Sequence, residues 1–330
     1  MHKKPLLTPR AKKISSYVLK LAILLLAFLF IYHKILKNNN NLRDFENLAA
    51  HVNHTKVIIT LVLVVLLMIV NWVLESLKWW HLTRILAPMS IWKSIESVFC
   101  GLTWAIFTPN RIGEYGGRVM FLPNRKRIHG MFAMAVGSFG QNVITNVLGA
   151  SALVWFLYNY IPLNTWLMAL ITAAAGALMA IMLVFYFHIK WMVRLLNSIQ
   201  FLKKYHRFFD IMGNYKAGEL MNIMWFCLAR YFVFTSQYYL VIHLLVPEIQ
   251  LLPMVLLMFV FFFITSAMPS LDLLDIGVRS FTASTLFGYI THQIVAVVVA
   301  VSLIYIVNLV IPAILGSVFI FKLKFFDRTA

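Results

Sequence analysis

The sequence predicts an all-α protein built inside a membrane: a polytopic helical bundle of about six full spans and two re-entrant hairpins. Three observations predict it. The 330 residues are 62% apolar and only 12% charged, where soluble domains carry roughly a quarter charged residues. Apolar runs of about 20 residues, the length that crosses a bilayer, recur along the chain. The basic residues gather in the short segments between those runs. A net charge of +18 would suggest nucleic acid in a soluble protein, but this placement assigns it to lipid headgroups and membrane orientation, so nucleic acid is not an expected partner. Cys100 and Cys227 both lie in apolar surroundings. They offer neither a disulfide framework nor a zinc site and are read as packing residues.

Taken in order, Ile14 to Tyr32 carries only Lys20, close enough to one end to snorkel, and Val57 to Leu74 is uncharged. The first run is too long for a signal core and lacks small residues at a cleavage position, so it is read as an uncleaved anchor. No Asp, Glu, Lys or Arg occurs from Met131 to Ile189, and the turn-like stretch from Asn159 to Asn164 divides that segment into two spans. Met221 to Val246 holds one charge, Arg230. Leu251 to Met268 is uncharged, and Ser280 to Phe321, too long for one helix, is expected to break between Gly288 and His292.

Lys and Arg in short loops stay cytoplasmic. Twenty basic residues fall on one side of this arrangement, among them Lys78, Arg84, Arg125, Lys204 and Lys322, and only Lys34, Lys37, Arg43 and Lys56 fall on the other. Both termini are therefore expected in the cytoplasm. The segments that do not cross are Ser94 to Leu122 and Leu252 to Phe287.

Each of these two has an apolar arm, a proline and a charged turn. In the first, Thr108-Pro-Asn-Arg-Ile-Gly-Glu-Tyr-Gly-Gly-Arg118 sets Glu114 four residues before Arg118; in the second, Asp272 and Asp275 precede Arg279, with Asp275 four residues before it. That spacing puts acid and base on one helical face. Pro109 and Pro269 stand 160 residues apart, and each hairpin follows two spans and precedes one. The chain thus reads as a single membrane domain, 1–330, made of an inverted repeat, 1–160 and 161–330, as in many secondary transporters. Arg111, Glu114 and Arg118 facing lipid would together cost on the order of 8 to 10 kcal/mol, so they are expected to face protein, water or headgroups, with both hairpins lining one cavity or meeting at the midplane.

The stretches Leu77-Lys-Trp-Trp, Gly101 followed by Thr108 to Arg118, and Gly137-Ser-Phe-Gly-Gln-Asn-Val-Ile-Thr-Asn146 resemble the lysylphosphatidylglycerol synthase transmembrane family, also called flippase-like, over residues 14 to 322. The resemblance implies lipid handling across a bacterial inner membrane. Longer members carry a soluble aminoacyl-transferase domain, of which these 330 residues contain no counterpart. The second hairpin departs from the family pattern: Leu274 and Asp275 stand where glycines are common, and Ser280 where an acid is expected.

Arg111, Arg118, Arg230 and Arg279 against Glu114, Asp272 and Asp275 leave one net positive charge, suited to an anionic headgroup, and arginine's forked donors fit phosphate. These seven residues are the candidate substrate-binding set. Arg230 is either a snorkelling residue or a cavity-facing cation. Gly113 and Gly117 suit tight backbone approach in the charged turn, and His243 and His292 lack metal-ligand spacing. No catalytic triad, phosphate loop or metal motif is recognisable, and no cofactor is expected. Three function classes stay open: a lipid translocator, which the sequence favours; a membrane-embedded lipid-modifying enzyme using Glu114 or Asp275 as base; and a structural partner of another membrane protein.

The charge asymmetry sets a test. Cysteines placed at Asn40, Asn164 and Glu248 are expected to react with an impermeant thiol reagent added outside intact cells, and one at Lys204 is not. Labelling at position 204 would overturn the orientation.

Overall fold

The structure is a computed structural model describing residues 54–105, 108, 111–200, 206–268 and 272–320, without the side chains of 272–276 and 320. The expected first span, Ile14 to Tyr32, both termini, Pro109 and Pro269 lie outside the described residues.

All regular structure among the described residues is helical. Eleven α-helices follow one another: α1 His54–Thr83, α2 Ile91–Ala105, α3 Ile112–Val119, α4 Arg127–Tyr160, α5 Thr165–Phe187, α6 Ile189–Ser198, α7 His206–Phe209, α8 Ala217–Leu245, α9 Leu251–Ala267, α10 Asp272–Phe287 and α11 Ile294–Ile320. Four of them, α1, α4, α5 and α11, are long and apolar enough to cross a membrane. The 15 residues of α2 and eight of α3 reach only about 22 and 12 Å at 1.5 Å per residue, short of a hydrocarbon core of about 30 Å. The helix α8 has the length, with 29 residues, but carries Glu219 and Arg230.

Local chemistry explains the breaks. Pro162 lies in the extended link between α4 and α5, and Asn164 caps α5 by accepting the Trp166 amide at 3.2 Å. At the start of α8 the Glu219 carboxylate accepts the Lys216 amide at 2.9 Å. Residues 288–293, between α10 and α11, form the break anticipated around Gly288 to His292. In the connector ahead of α8, Tyr215 donates to the Leu82 carbonyl at 2.7 Å, and burial holds its hydroxyl protonated well above the usual tyrosine range.

Packing is reciprocal. The helix α1 lies along α8, α2 along both α3 and α11, and α9 along α4, while α10 packs on α11. The helix α5 sits outside: within its span only Tyr186 is buried, its hydroxyl donating to the Leu220 carbonyl at 2.9 Å. The helix α11, by contrast, is two-thirds buried across its span. Without a hydrophobic drive between helices in lipid, close approach depends on small residues. A Cβ on Gly117 would fall 2.7 Å from the Gly101 Cα, which fixes α3 against α2; a Cβ on Gly316 would fall 2.0 Å from the Phe99 carbonyl oxygen. Beside that second crossing, Thr103 donates to the Ala313 carbonyl at 2.9 Å, joining α2 to α11.

Alanine at Gly117 or Gly316 is therefore expected to cost about 1 to 3 kcal/mol through overpacking. Alanine at Gly176 of α5, which would meet nothing within 4 Å, is expected to leave stability unchanged or slightly raised. Thermal unfolding of the three variants in detergent checks the contrast; equal melting temperatures would overturn it.

Candidate functional site

The site is built on the C-terminal half of α1, where Asn71, Trp72, Glu75 and Lys78 lie on one face. Glu75 is 4% exposed and Lys78 3%, so a carboxylate and an ammonium are both withdrawn from solvent. Lys78 Nζ sits 2.7 Å from Glu75 Oε2. Arg230, from α8, donates to the same oxygen, and its Nε donates to Asn71 Oδ1 at 3.0 Å, with the guanidinium 5.5 Å from the centre of the Trp72 ring. The other Glu75 oxygen accepts from Arg118 Nη1 at 2.6 Å.

Arg118 arrives on α3, one turn after Glu114, and its second terminal nitrogen donates to Glu114 Oε1. Its backbone carbonyl accepts from Ser97, whose oxygen in turn accepts from Trp79 Nε1, both at 2.9 Å. The Trp79 ring lies 6.0 Å from its guanidinium. Arg118 is thus held at both ends by α1 and α2.

Arg111 is arranged differently. It stands at the N-terminus of α3 with φ 58°, in the left-handed region, the only non-glycine residue there among the described residues. The turn is pinned by Thr108, which accepts the Gly113 amide at 2.6 Å. Left-handed backbone costs a non-glycine residue roughly 1 to 2 kcal/mol and persists only where its surroundings impose it. Arg111 Nη2 forms an ion pair with Glu114 Oε2 at 3.1 Å and its side chain is 40% exposed, yet neither its Nε nor its Nη2 donates a hydrogen bond.

A cavity of about 900 Å³ opens above these charges. Glu75, Lys78, Arg111, Glu114, Arg230 and Arg279 line it, so four cations face two carboxylates, a net of two positive charges. The first hairpin contributes Arg111, Glu114 and Tyr115, and the second contributes Thr265, Ser266, Met268 and Arg279, whose guanidinium lies 5.7 Å from the centre of the Tyr305 ring. The described residues of both segments thus line one cavity, while residues 269–271 and the side chains of 272–276 of the second turn lie outside the described residues. From α4 come Ser138, Gln141, Asn142 and Thr145 on one face, and the Tyr115 hydroxyl donates to Ser138 at 3.1 Å, tying α3 to α4.

Of the seven sequence candidates, Arg111, Glu114, Arg230 and Arg279 line the cavity. Arg118 belongs to the cluster but lies beneath it, its side chain 2% exposed. Arg230, open between two readings from sequence, faces the cavity. The side chains of Asp272 and Asp275 lie outside the described residues, though both sit at the start of α10. Sequence reasoning passed over Glu75 and Lys78; the signal available was a carboxylate one residue beyond an uncharged run of 18, three before a lysine. No group of three His, Cys, Asp or Glu able to hold a metal occurs among the described residues.

Removing one member of a buried ion cluster leaves the others uncompensated, at a cost of about 3 to 5 kcal/mol. Glu75→Gln is expected to lose that much, seen as a large drop in melting temperature in detergent, whereas Arg111→Gln, at a half-exposed position, is expected to shift it far less. Equal shifts for the two would overturn this reading of the cluster. No family model, curated protein or solved structure matches the chain.

Proposed function

We propose that this protein is an integral membrane lipid translocator that admits an anionic headgroup to a cavity between its two hairpins. The observation that carries the reading is the cavity itself: an open space within the helical bundle, lined by residues of both hairpin segments, with four cations against two carboxylates. Low-dielectric walls strengthen that excess of positive charge. Arg111 fits the role of headgroup contact, because its side chain lines the cavity, is 40% exposed and meets Glu114 at 3.1 Å, the longest ion pair of the cluster.

Two further features support the translocator. The packing pairs are those that an inverted repeat requires: α1 answers to α8, the α2–α3 hairpin to α9–α10, and α4 to α11, so that α2 on α11 has its counterpart in α9 on α4. Under that reading the full spans are residues 14–32, α1, α4, α5, α8 and α11, the outer helix α5 corresponding to the first of them. The basic-residue asymmetry then puts both termini in the cytoplasm, and the resemblance of the Thr108 to Arg118 turn to flippase-like proteins fits a bacterial inner membrane.

The enzyme alternative loses its best base in this geometry. Glu114 is shared by Arg111 and Arg118, and both cations would have to be displaced before it could take a proton at a headgroup.

Reconstitution in liposomes with labelled phospholipids tests the reading by scoring leaflet exchange separately from chemical change. Exchange without new lipid species is expected, and Arg111→Gln or Arg279→Gln is expected to slow it about tenfold, the worth of one charge-assisted hydrogen bond. New lipid species, or undiminished exchange in the double variant, would overturn it.

A further inference from the structure

One helix outside the cavity carries both charge and apolar surface on its exposed side. The span α5 ends at Phe187 and α6 begins at Ile189, the chain breaking at His188, whose ψ of 47° lies outside the helical range. At about 100° of turn per residue, the side chains of α6 divide into three strips. Ile189 and Val193 are buried, and with Met192 and Leu196 they pack on the protein core. Trp191 and Leu195, one turn apart on a second strip, are 48% and 58% exposed. Lys190 and Arg194, one turn apart on the third, are exposed as well, and neither pairs with a carboxylate among the described residues. Asn197, on that third strip, donates to Asp210 at 3.4 Å and so ties α6 to the turn Asp210–Asn214.

The level of α6 along the span matters as much as its faces. Only Tyr186 of α5 is buried. Tyr158 and Trp166, 78% and 80% exposed, stand where α4 meets α5, and aromatic side chains so placed settle at the headgroup level. From Trp166 to Phe187 the helix rises about 32 Å at 1.5 Å per residue, close to the roughly 30 Å of a hydrocarbon core. Trp191, just past the end of the span, therefore falls at the second headgroup level. The same end of the bundle carries the exposed Arg125, Lys126, Arg207 and Lys216. Two exposed apolar side chains offer far less than the roughly 800 Å² per partner of a stable protein interface. A short strip of Trp and Leu beside a basic strip, at the end of a lipid-facing helix, is instead the pattern of a helix lying in the membrane surface.

We infer that α6 is an interfacial helix that docks on anionic phospholipid: Trp191 and Leu195 enter the boundary of the acyl layer beside α5, and Lys190 and Arg194 hold headgroup phosphates alongside. The buried strip fixes the third side of the helix to the protein, so the bilayer and the bundle grip α6 from different directions. Zwitterionic lipid would satisfy the apolar strip alone; the two cations add a preference for net negative charge. The inference rests on α5 being a span, and neither on the cavity nor on what the cavity binds.

Quenching of a fluorophore in liposomes measures this on the full chain. The fluorophore is attached to Leu195→Cys or, as a control within α5, to Ala177→Cys, and is quenched from the lipid side by brominated phosphatidylcholine or brominated phosphatidylglycerol and from the water side by a cobalt chelate. At position 195 both lipids are expected to quench and the cobalt chelate only weakly. Phosphatidylglycerol is expected to quench more than phosphatidylcholine at equal mole fraction, a preference that falls about fivefold for each of Lys190→Gln and Arg194→Gln and shrinks at high salt. Quenching at 195 by cobalt alone would place α6 in water and overturn the inference. Shielding from every quencher would mark a protein partner instead, and equal quenching by the two lipids, or a preference unchanged in the double variant, would remove the cations from lipid binding; each of these also overturns it. Lipid quenching at 177 without lipid quenching at 195 would leave the span standing and remove only the docking of α6, whereas loss of lipid quenching at 177 would remove the span itself.

Discussion

A single carboxylate organises this protein. Glu75 sits in the C-terminal half of an apolar helix, 4% exposed, in a setting where an unpaired charge costs several kcal/mol. Its two oxygens are satisfied by Arg118 from α3, Arg230 from α8 and Lys78 one turn along α1. That requirement fixes the relation of three helices. The eight residues of α3 are too few to hold a helix by propensity; the helix is placed by Arg118 reaching Glu75 and by Gly117 lying on Gly101. A buried ion cluster adds little net stability over a well-packed apolar alternative, yet it penalises every arrangement that leaves a member unpaired. Its contribution here is register: α1, α3 and α8 can meet in one way only.

Much of the fold was legible because the bilayer imposes length. Apolar runs long enough to cross a bilayer appear as α1, α4, α5 and α11, and the breaks fall at Asn159 to Asn164 and Gly288 to His292, where the sequence turns polar or loses its periodicity. The Glu114–Arg118 pair was legible from its spacing of four. Glu75 was not. In sequence it reads as the start of a charged interface with Lys78, a pair three apart that an exposed helix end would tolerate; only the packing of α3 and α8 over it converts it into a buried hub. The division among the arginines was equally hidden. Nothing in the spacing of Arg111 and Arg118 says that one is sealed between two carboxylates and the other half exposed, since that depends on where a left-handed turn at residue 111 swings the chain.

That division matters for how charge reaches a ligand. Arg118 neutralises Glu75 and Glu114 from beneath the cavity, and the positive character comes from the four cations that line it beside those carboxylates: Lys78, Arg111, Arg230 and Arg279. The two carboxylates stand on the same wall, 4% and 8% exposed, and hold the arginines in place there. Aromatic rings add to this. Trp72 lies under Arg230 and Tyr305 under Arg279, and an aromatic face supports a guanidinium without occupying its hydrogen-bond donors.

An anion approaching Arg111 competes with Glu114 for the same guanidinium, whereas Arg118 keeps its grip on both carboxylates. The Arg111–Glu114 contact is the weakest in the cluster by geometry, an ion pair at 3.1 Å with no hydrogen bond from Nη2, and it sits on backbone already strained by about 1 to 2 kcal/mol. The rest of the cluster is held by hydrogen bonds on several sides. Among the described contacts of the cluster this is the joint that yields at lowest cost, and it lies at the turn that opens α3 rather than along the long helices. The cluster thus combines a fixed base, Glu75 with Arg118 and Arg230 beside helices held close at Gly117 and Gly316, with a looser contact at residue 111.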